Sequence, residues 1–411
     1  MSISMPIIKR KFTKLLGGAV LIGVAGLCLA SSDPKLGVPE GFGSGTTGGA
    51  DGTDVVTVTS ASQLKNALCS SFGSDGLCSD TSPRIIKIQG TIDFTASEGK
   101  TSGTGCDYGQ SCQTPYITER LVLLNSSDTH CGGKSTYSIA YDKAGVDPLL
   151  VGSNKTVIGV GSDATLKGRG LRLVNVSNVV VRNMTISDIN EGIIFAGDAI
   201  ALDNVNRIWI DHNRFQRIGR QFIAGGNGPV TSTTISWNDF NGNSSYSYYC
   251  NGTHYWNVLL EGSTQTVTLS NNWFRSFSGR APILTGNSAL HIVNNYYQDG
   301  YWHALDAYDP SKALIEGNYY ENVNTPVTST GTGYVFGTLG GPNTATQSLC
   351  HTYLKRNCLG NMADPAPQVN AFQQVPGVVE EFSTLNLSIT VPYKASSVPA
   401  VVKAGAGPGN I

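Results

Sequence analysis

The chain has 411 residues, 28 of them Lys or Arg and 29 Asp or Glu, for a net charge of −1. Only 14% of residues are charged and 49 are Gly, a composition that favours strands and turns and suits one large all-β domain or two smaller ones. Without an excess of positive charge the chain lacks the footprint of a nucleic-acid binder. With no overall field to gather a polyanion, any acidic substrate must be met by local arginines.

The first 30 residues predict a secretory signal. Lys9, Arg10, Lys11 and Lys14 precede the apolar run "LLGGAVLIGVAGLCLA", and cleavage is expected after Ala30. The alternative, an uncleaved anchor, is disfavoured because the run is short for a membrane span. Loss of four cations and no acid takes the net charge from −1 to −5 and places the mature chain, residues 31–411, outside the cell with no membrane partner.

Cys28 leaves with the signal, so nine cysteines become eight, an even number in an oxidising compartment. Spacing predicts local disulfides Cys69–Cys78 and Cys350–Cys358. Cys106, Cys112, Cys131 and Cys250 remain, with three pairings open. No Cys/His spacing suits zinc, and no P-loop or Gly-x-Ser-x-Gly elbow occurs, so neither a metal nor another cofactor is expected. Seven Asn-x-Ser/Thr sites, from Asn125 to Asn386, permit glycosylation in a eukaryotic host.

Residues 33–53, rich in Gly, predict an extended arm. "SASQLKNALCSS" predicts a short amphipathic helix capped by Ser60 or Ser62. From there an internal repeat sets the architecture. Asn183, Asn213, Asn238, Asn272, Asn295 and Asn318 each follow a β-branched run and lie 23 to 34 residues apart. Strand-forming repeats of this length are the mark of an all-β parallel β-helix. Coils stack about 4.8 Å apart, so the asparagines should form an amide ladder. Phe215, Phe240, Phe274, Tyr297 and Tyr320, two places on, should stack inside. One long excursion, "NGNSSYSYYCNGTHYW", accounts for the widest gap. Residues 360–411 lack the repeat and are expected to wrap the outside of a single domain.

The residues with chemical potential sit at strand ends. "AGDAIALD" holds Asp198 and Asp203, "IWIDH" holds Asp211 and His212, and "RIGRQF" holds Arg217 and Arg220. "SGRAP" places Arg280 between a flexible Gly279 and a rigid Pro282; read alone it is a solvated turn. In a coil, Asp198, Arg220 and Arg280 are expected to share one groove. The bland alternative is a set of ion pairs between coils. Trp209 and His212 are expected to be structural.

The stretches "GDAIALDNVNRIWIDHNRFQRIGRQ", "CNGTHYWNVLLEGS" and "SFSGRAPILTGNSALHIVNNYY" resemble the pectate lyase superfamily, in particular its secreted pectin lyase branch. Shorter matches such as "TGGADGT" and the Cys350–Cys358 loop extend the resemblance over most of residues 45–360. It implies a right-handed, single-stranded β-helix with a short N-terminal capping helix, cutting galacturonan by β-elimination. Arg280 would remove the C5 proton, with Asp198 and Arg220 completing the catalytic set. Family pairing would join Cys106 to Cys131 and Cys112 to Cys250.

A protonated guanidinium cannot accept a proton. The role implied for Arg280 therefore needs a neighbour that disfavours its charged form, and Arg220 is the expected one, with Asp198 orienting Arg220. No Asp or Glu lies between Asp211 and Asp239, whereas calcium needs six to eight oxygens. The expected substrate and partner is therefore methyl-esterified pectin, bound by a monomer without metal. Phe195, Tyr255 and Trp256 are expected to line the groove. Ile283 departs from the basic residue common in this family three places after the key arginine. A calcium-dependent pectate lyase and a non-catalytic cell-wall binding β-helix are the alternatives.

Overall fold

A computed structural model describes residues 35–385 and 388–411; the expected signal at 1–30 and the site at Asn386 lie outside the described residues. The β-branched runs pair strand on strand, always parallel. Val181, Ile210, Ile235, Leu269, Ile292 and Ile315 form one buried row across successive coils. Such rows are what a right-handed parallel β-helix requires, because the only way onward from each parallel strand is a crossover. A second stack begins at the ladder corner, running from Thr185–Ile189 to Met362–Asp364. A third runs along the remaining face, from Leu149–Leu150 through the start of Ile200–Asp211 to the end of Tyr296–Ala307.

The asparagine ladder forms. Each side-chain oxygen accepts the backbone N–H of the preceding coil, at 2.9 Å for Asn213 to Asn238, 3.0 Å for Asn238 to Asn272 and 2.9 Å for Asn272 to Asn295. Two details differ from expectation. The register pairs Thr185 with Arg214, so Met184 and not Asn183 occupies the ladder position. Asn183 aligns instead with His212, Trp237 and Asn271, the corner row, and all four have positive φ. It is 2% exposed and its amide is spent on the carbonyls of Gly159 and Gly161, so its glycosylation signal is closed in the fold. At the other end the ladder runs one rung further, because Asn318 N–H donates to Asn361. Asn361 precedes a strand, Met362–Asp364, that still belongs to the coil, inside the segment expected to wrap outside. The sequence hid it because the insertion before it stretches the period to 43 residues.

Behind the ladder Phe215, Phe240, Phe274, Tyr297 and Tyr320 stack with centroids 4.4 to 5.2 Å apart. They seal the interior and add offset-stacking energy to burial. Ser60 caps α1 (Ala61–Leu68), accepting from Gln63 N–H, and α1 buries Leu64, Ala67 and Leu68 over the first coil. Residues 35–50 do not run straight. They include a tight turn at Gly41–Gly43 and grip the outer face of the coil, where Thr156, Thr234 and Thr268 hydroxyls accept their N–H groups. Glycine is needed here, since a Cβ on Gly49 would stand 2.1 Å from the Arg84 carbonyl oxygen. The four disulfides are Cys69–Cys78, Cys106–Cys131, Cys112–Cys250 and Cys350–Cys358.

Replacing Asn272 with Ala should leave the amide of Asn238 and the carbonyl of Ile235 unpaired in the core. Two buried orphans cost about 2–5 kcal/mol. Thermal unfolding should show that loss, and a variant as stable as wild type would deny the ladder its role.

Candidate active site

The third stack carries the site on its outer side. Its outward row reads Leu150, Arg172, Ala201, Ala224, Leu259, Ile283 and Asp306, one residue per coil. The row is a floor with apolar residues in the middle, a cation at one end and an anion at the other. Just before it, backbone hydrogen bonds tie Ala199 to Gln221, Phe222 to Trp256, Val258 to Arg280 and Ala281 to Ala304. Asp198, Arg220, Trp256, Arg280 and His303 are therefore carried by neighbouring coils along one edge.

Asp198 and Arg220 are in direct contact, Oδ2 to Nη1 at 3.1 Å, and Asp198 Oδ1 accepts the Gln221 N–H at 2.8 Å. Burial pushes the Asp198 carboxyl above its ordinary value, against the lowering pull of Arg220. The guanidinium of Arg220 also lies 5.1 Å from the Phe195 ring centroid. Beneath it, His254 Nε2 meets the Arg220 carbonyl at 2.9 Å. Burial lowers the His254 pKa to about 4, so the imidazole is a neutral prop near pH 7.

Arg280 is different in kind. Among the described residues it has no carboxylate partner, and its buried Nε makes no hydrogen bond. Its guanidinium lies 4.6 Å from the Trp256 centroid and 5.7 Å from that of Tyr255. Its backbone N–H points to His303 Nε2, and its φ is +49°. Gly279 has a specific reason to be glycine: a Cβ there would stand 2.4 Å from the Tyr255 ring. The turn is thus packed against an aromatic wall, which sets the reach of the arginine.

Behind that wall sits a carboxyl. Trp256 Nε1–H donates to Glu119 at 3.1 Å, and Glu119 is 1% exposed. Burial pushes Glu119 up to about 7, opposed by the indole hydrogen bond. Trp256 is itself 6% exposed, so it supports Arg280 more than it offers a free face to the groove. The exposed rings here are Tyr301 and Trp302, 48% and 46% exposed, with Trp302 stacked 6.1 Å from Tyr255 and Tyr301 5.1 Å from Tyr249. On the other side of the site, a cavity of about 300 Å³ is lined by Arg172, Phe195, Asp198 and Arg220.

The remaining candidates lie elsewhere. Asp211 is buried between Arg182, Ser236 and His212. Trp209 packs under Arg182 and donates to Ser236. Arg217 pairs with Asp188, and Asp203 accepts the Gly228 N–H. These contacts tie coils together. Asp198, Arg220, Arg280, Phe195, Tyr255 and Trp256 are the subset brought to one edge. Sequence reasoning passed over Arg172, Glu119, His303 and the Tyr301–Trp302 pair. Only the folded arrangement reveals them: Arg172 through the register of the third stack, and Glu119, His303 and the Tyr301–Trp302 pair through contacts between segments far apart in the chain.

The family model described as pectate lyase matches residues 107–376. The chain belongs to the pectate lyase family. A probable pectin lyase F of Aspergillus niger is 38% identical over 97% of this chain and 79% of its own length. A probable pectin lyase A of Aspergillus fumigatus is 37% identical over 95% and 99%. Pectin lyase B of Emericella nidulans is 39% identical over 82% and 85%. Among solved structures, a Paenibacillus pectate lyase aligns with TM-score 0.54 at 15% identity, covering 91% of this chain and 96% of that one. An Acidovorax avenae pectate lyase aligns with TM-score 0.52 at 15%, covering 95% and 99%. At such identities the structures speak for the parallel β-helix alone.

Glu119 makes folding sensitive to pH. Its folded pKa is raised, so its contribution is full below about 4.5, where the unfolded carboxyl titrates, and is lost as pH rises through about 7. The loss is on the order of 3 kcal/mol. Glu119→Gln should remove it: relative to wild type, the variant's melting temperature should rise between pH 5 and pH 8. An unchanged difference would mean that Glu119 is not a buried titrating group.

Proposed function

We propose that the mature chain, residues 31–411, is a secreted, monomeric pectin lyase that cleaves methyl-esterified galacturonan by β-elimination without calcium. The carrying observation is an asymmetry between two arginines. Arg220 is held by Asp198, whereas Arg280 makes no ion pair among the described residues and rests on aromatic faces. The first suits a fixed electrostatic role, and the second leaves its guanidinium uncommitted to any carboxylate. The pectin lyase names of the relatives and the oxidised cysteines support the substrate class and the extracellular setting.

In this reading the neutral form of Arg280 takes the proton from C5. The C5–H electrons become the C4–C5 double bond, the C4–O glycosidic bond breaks, and the departing oxygen is protonated by water. Negative charge developing on the ester carbonyl is met by Arg220, preorganised by Asp198 and His254. Like-charge repulsion from Arg220 alone is a weaker lever than the sequence implies, because Asp198 neutralises it. Turn geometry supplies the proximity term.

The donor set argues against calcium. No group of three or more His, Cys, Asp or Glu among the described residues is placed to hold a metal. The carboxylates at this edge, Asp198 and Asp306, are already engaged, the first by Arg220 and the Gln221 N–H and the second by the Tyr308 and Thr328 hydroxyls. The apolar floor of Ala201, Ala224, Leu259 and Ile283 suits methyl esters better than bare carboxylates. Ile283, where the family commonly has a basic residue, belongs to that floor.

The test follows ultraviolet absorbance of the unsaturated product on highly esterified pectin, with and without a chelator. Wild type should be active in both conditions. Arg280→Lys should lose roughly 10²–10⁴-fold in turnover at an unchanged melting temperature. Chelator-sensitive cleavage of de-esterified substrate would assign a pectate lyase instead, and substantial turnover by Arg280→Lys would remove it as the base.

A further inference from the structure

The groove floor has a polarity that β-elimination itself does not require. Of the described arginines, most are engaged by a carboxylate: Arg169 by Glu98 and Asp147, Arg182 by Asp211, Arg214 and Arg275 by Asp239, and Arg356 by Glu316. Arg172 is not. Among the described residues it has no ion pair, no hydrogen-bond partner and no aromatic ring beneath it, although it is half-buried. Its guanidinium nitrogens are not buried, so they stay solvated until an anion from outside the coil meets them.

Its place in the fold says what would. Arg172 follows Leu150 in the outward row that continues through Ala201, Ala224, Leu259 and Ile283. It lines the same cavity as Asp198 and Arg220 and lies four coils from the Arg280 turn, about 19 Å along the axis at the coil repeat. The far end of the row is Asp306, whose oxygens are occupied by Tyr308 and Thr328 hydroxyls. A polyuronide lying along this floor therefore meets a guanidinium at one end, apolar side chains in the middle and a carboxylate at the other end.

The geometry points to Arg172 as a specificity residue that binds the free carboxylate of an unesterified galacturonate, several sugars from the scissile bond and on one side of it only. The inference rests on the pectin lyase reading above and deepens it. The floor between Arg172 and the reacting sugar takes methyl esters, Arg172 takes a bare acid, and Asp306 rejects a bare acid at the opposite end. The favoured substrate is a partly esterified chain in which an acid stands at a fixed distance from the cut.

The experiment compares two pectins of matched length, one fully methyl-esterified and one partly de-esterified, as substrates for the full mature chain. KM and kcat are read from product absorbance, and the position of free acids relative to the new unsaturated end is mapped by mass spectrometry. Wild type should show a KM roughly tenfold lower on the partly de-esterified pectin, the scale of one charge-assisted hydrogen bond. Its products should carry a free acid at a constant distance from the cut. Arg172→Gln should equalise the two KM values and randomise the mapped acid, and Arg172→Lys should retain part of the preference. Equal KM values or a randomly placed acid in wild type would overturn the assignment, as would a preference that survives in Arg172→Gln. If Arg172→Gln does not fold, the product map of wild type decides. Absence of unsaturated product from both pectins would instead refute the underlying lyase reading.

Discussion

The superposition of coils is the constraint on which everything else depends. A parallel coil can add a turn only if its strands find partners about one strand spacing above the last. The asparagine ladder enforces this at one corner, because each side-chain amide satisfies a backbone group of the neighbouring coil in a place water cannot reach. Once that corner is locked, residues of equal register stand in columns whatever their separation in sequence. Arg172 and Ile283 share a column although more than 100 residues lie between them.

Columns convert a repetitive scaffold into a site. The inward columns are filled by Val, Ile, Leu and aromatic rings and carry no chemistry. The outward column of the third stack and the edge beside it are free to vary, and the unusual residues gather there. The excursion between Asn241 and Val258 leaves the coil to bring Tyr248, Tyr249, Tyr255 and Trp256 over the edge. Cys112–Cys250 ties its tip to a smaller mixed sheet, in which Lys100–Tyr108 pairs antiparallel with Ile117–Val122 and Tyr137–Asp142. Glu119, on that sheet, reaches Trp256 from behind. Arg280 is thus positioned by three layers from different parts of the chain.

Most of the coil was legible in the sequence because its signals are local and repeated. An asparagine after a β-branched run, with an aromatic two places on, needs no knowledge of distant residues. Asn183 was misaligned by one place because Asn is also favoured at the corner, where positive φ is required. Asn361 was missed because an insertion broke the period. Asp198, Arg220 and Arg280 were legible through the resemblance of their motifs. Arg172, Glu119 and His303 were not, since nothing local marks them. Their meaning comes from what other coils place beside them, a non-local property that no single stretch of sequence carries.

The clustering of rings at the groove has an optical consequence. The chain has five tryptophans, and two of them, Trp256 and Trp302, flank Arg280, one under its guanidinium and the other beside Tyr255. The remaining three, Trp209, Trp237 and Trp273, sit on the outer wall of the coil, packed under Arg182, against His212 and beside Tyr296. Intrinsic emission therefore divides into a scaffold signal and a groove signal. On the proposed reading, occupancy by a sugar chain would change only the second, and the protein would report its own saturation without a label.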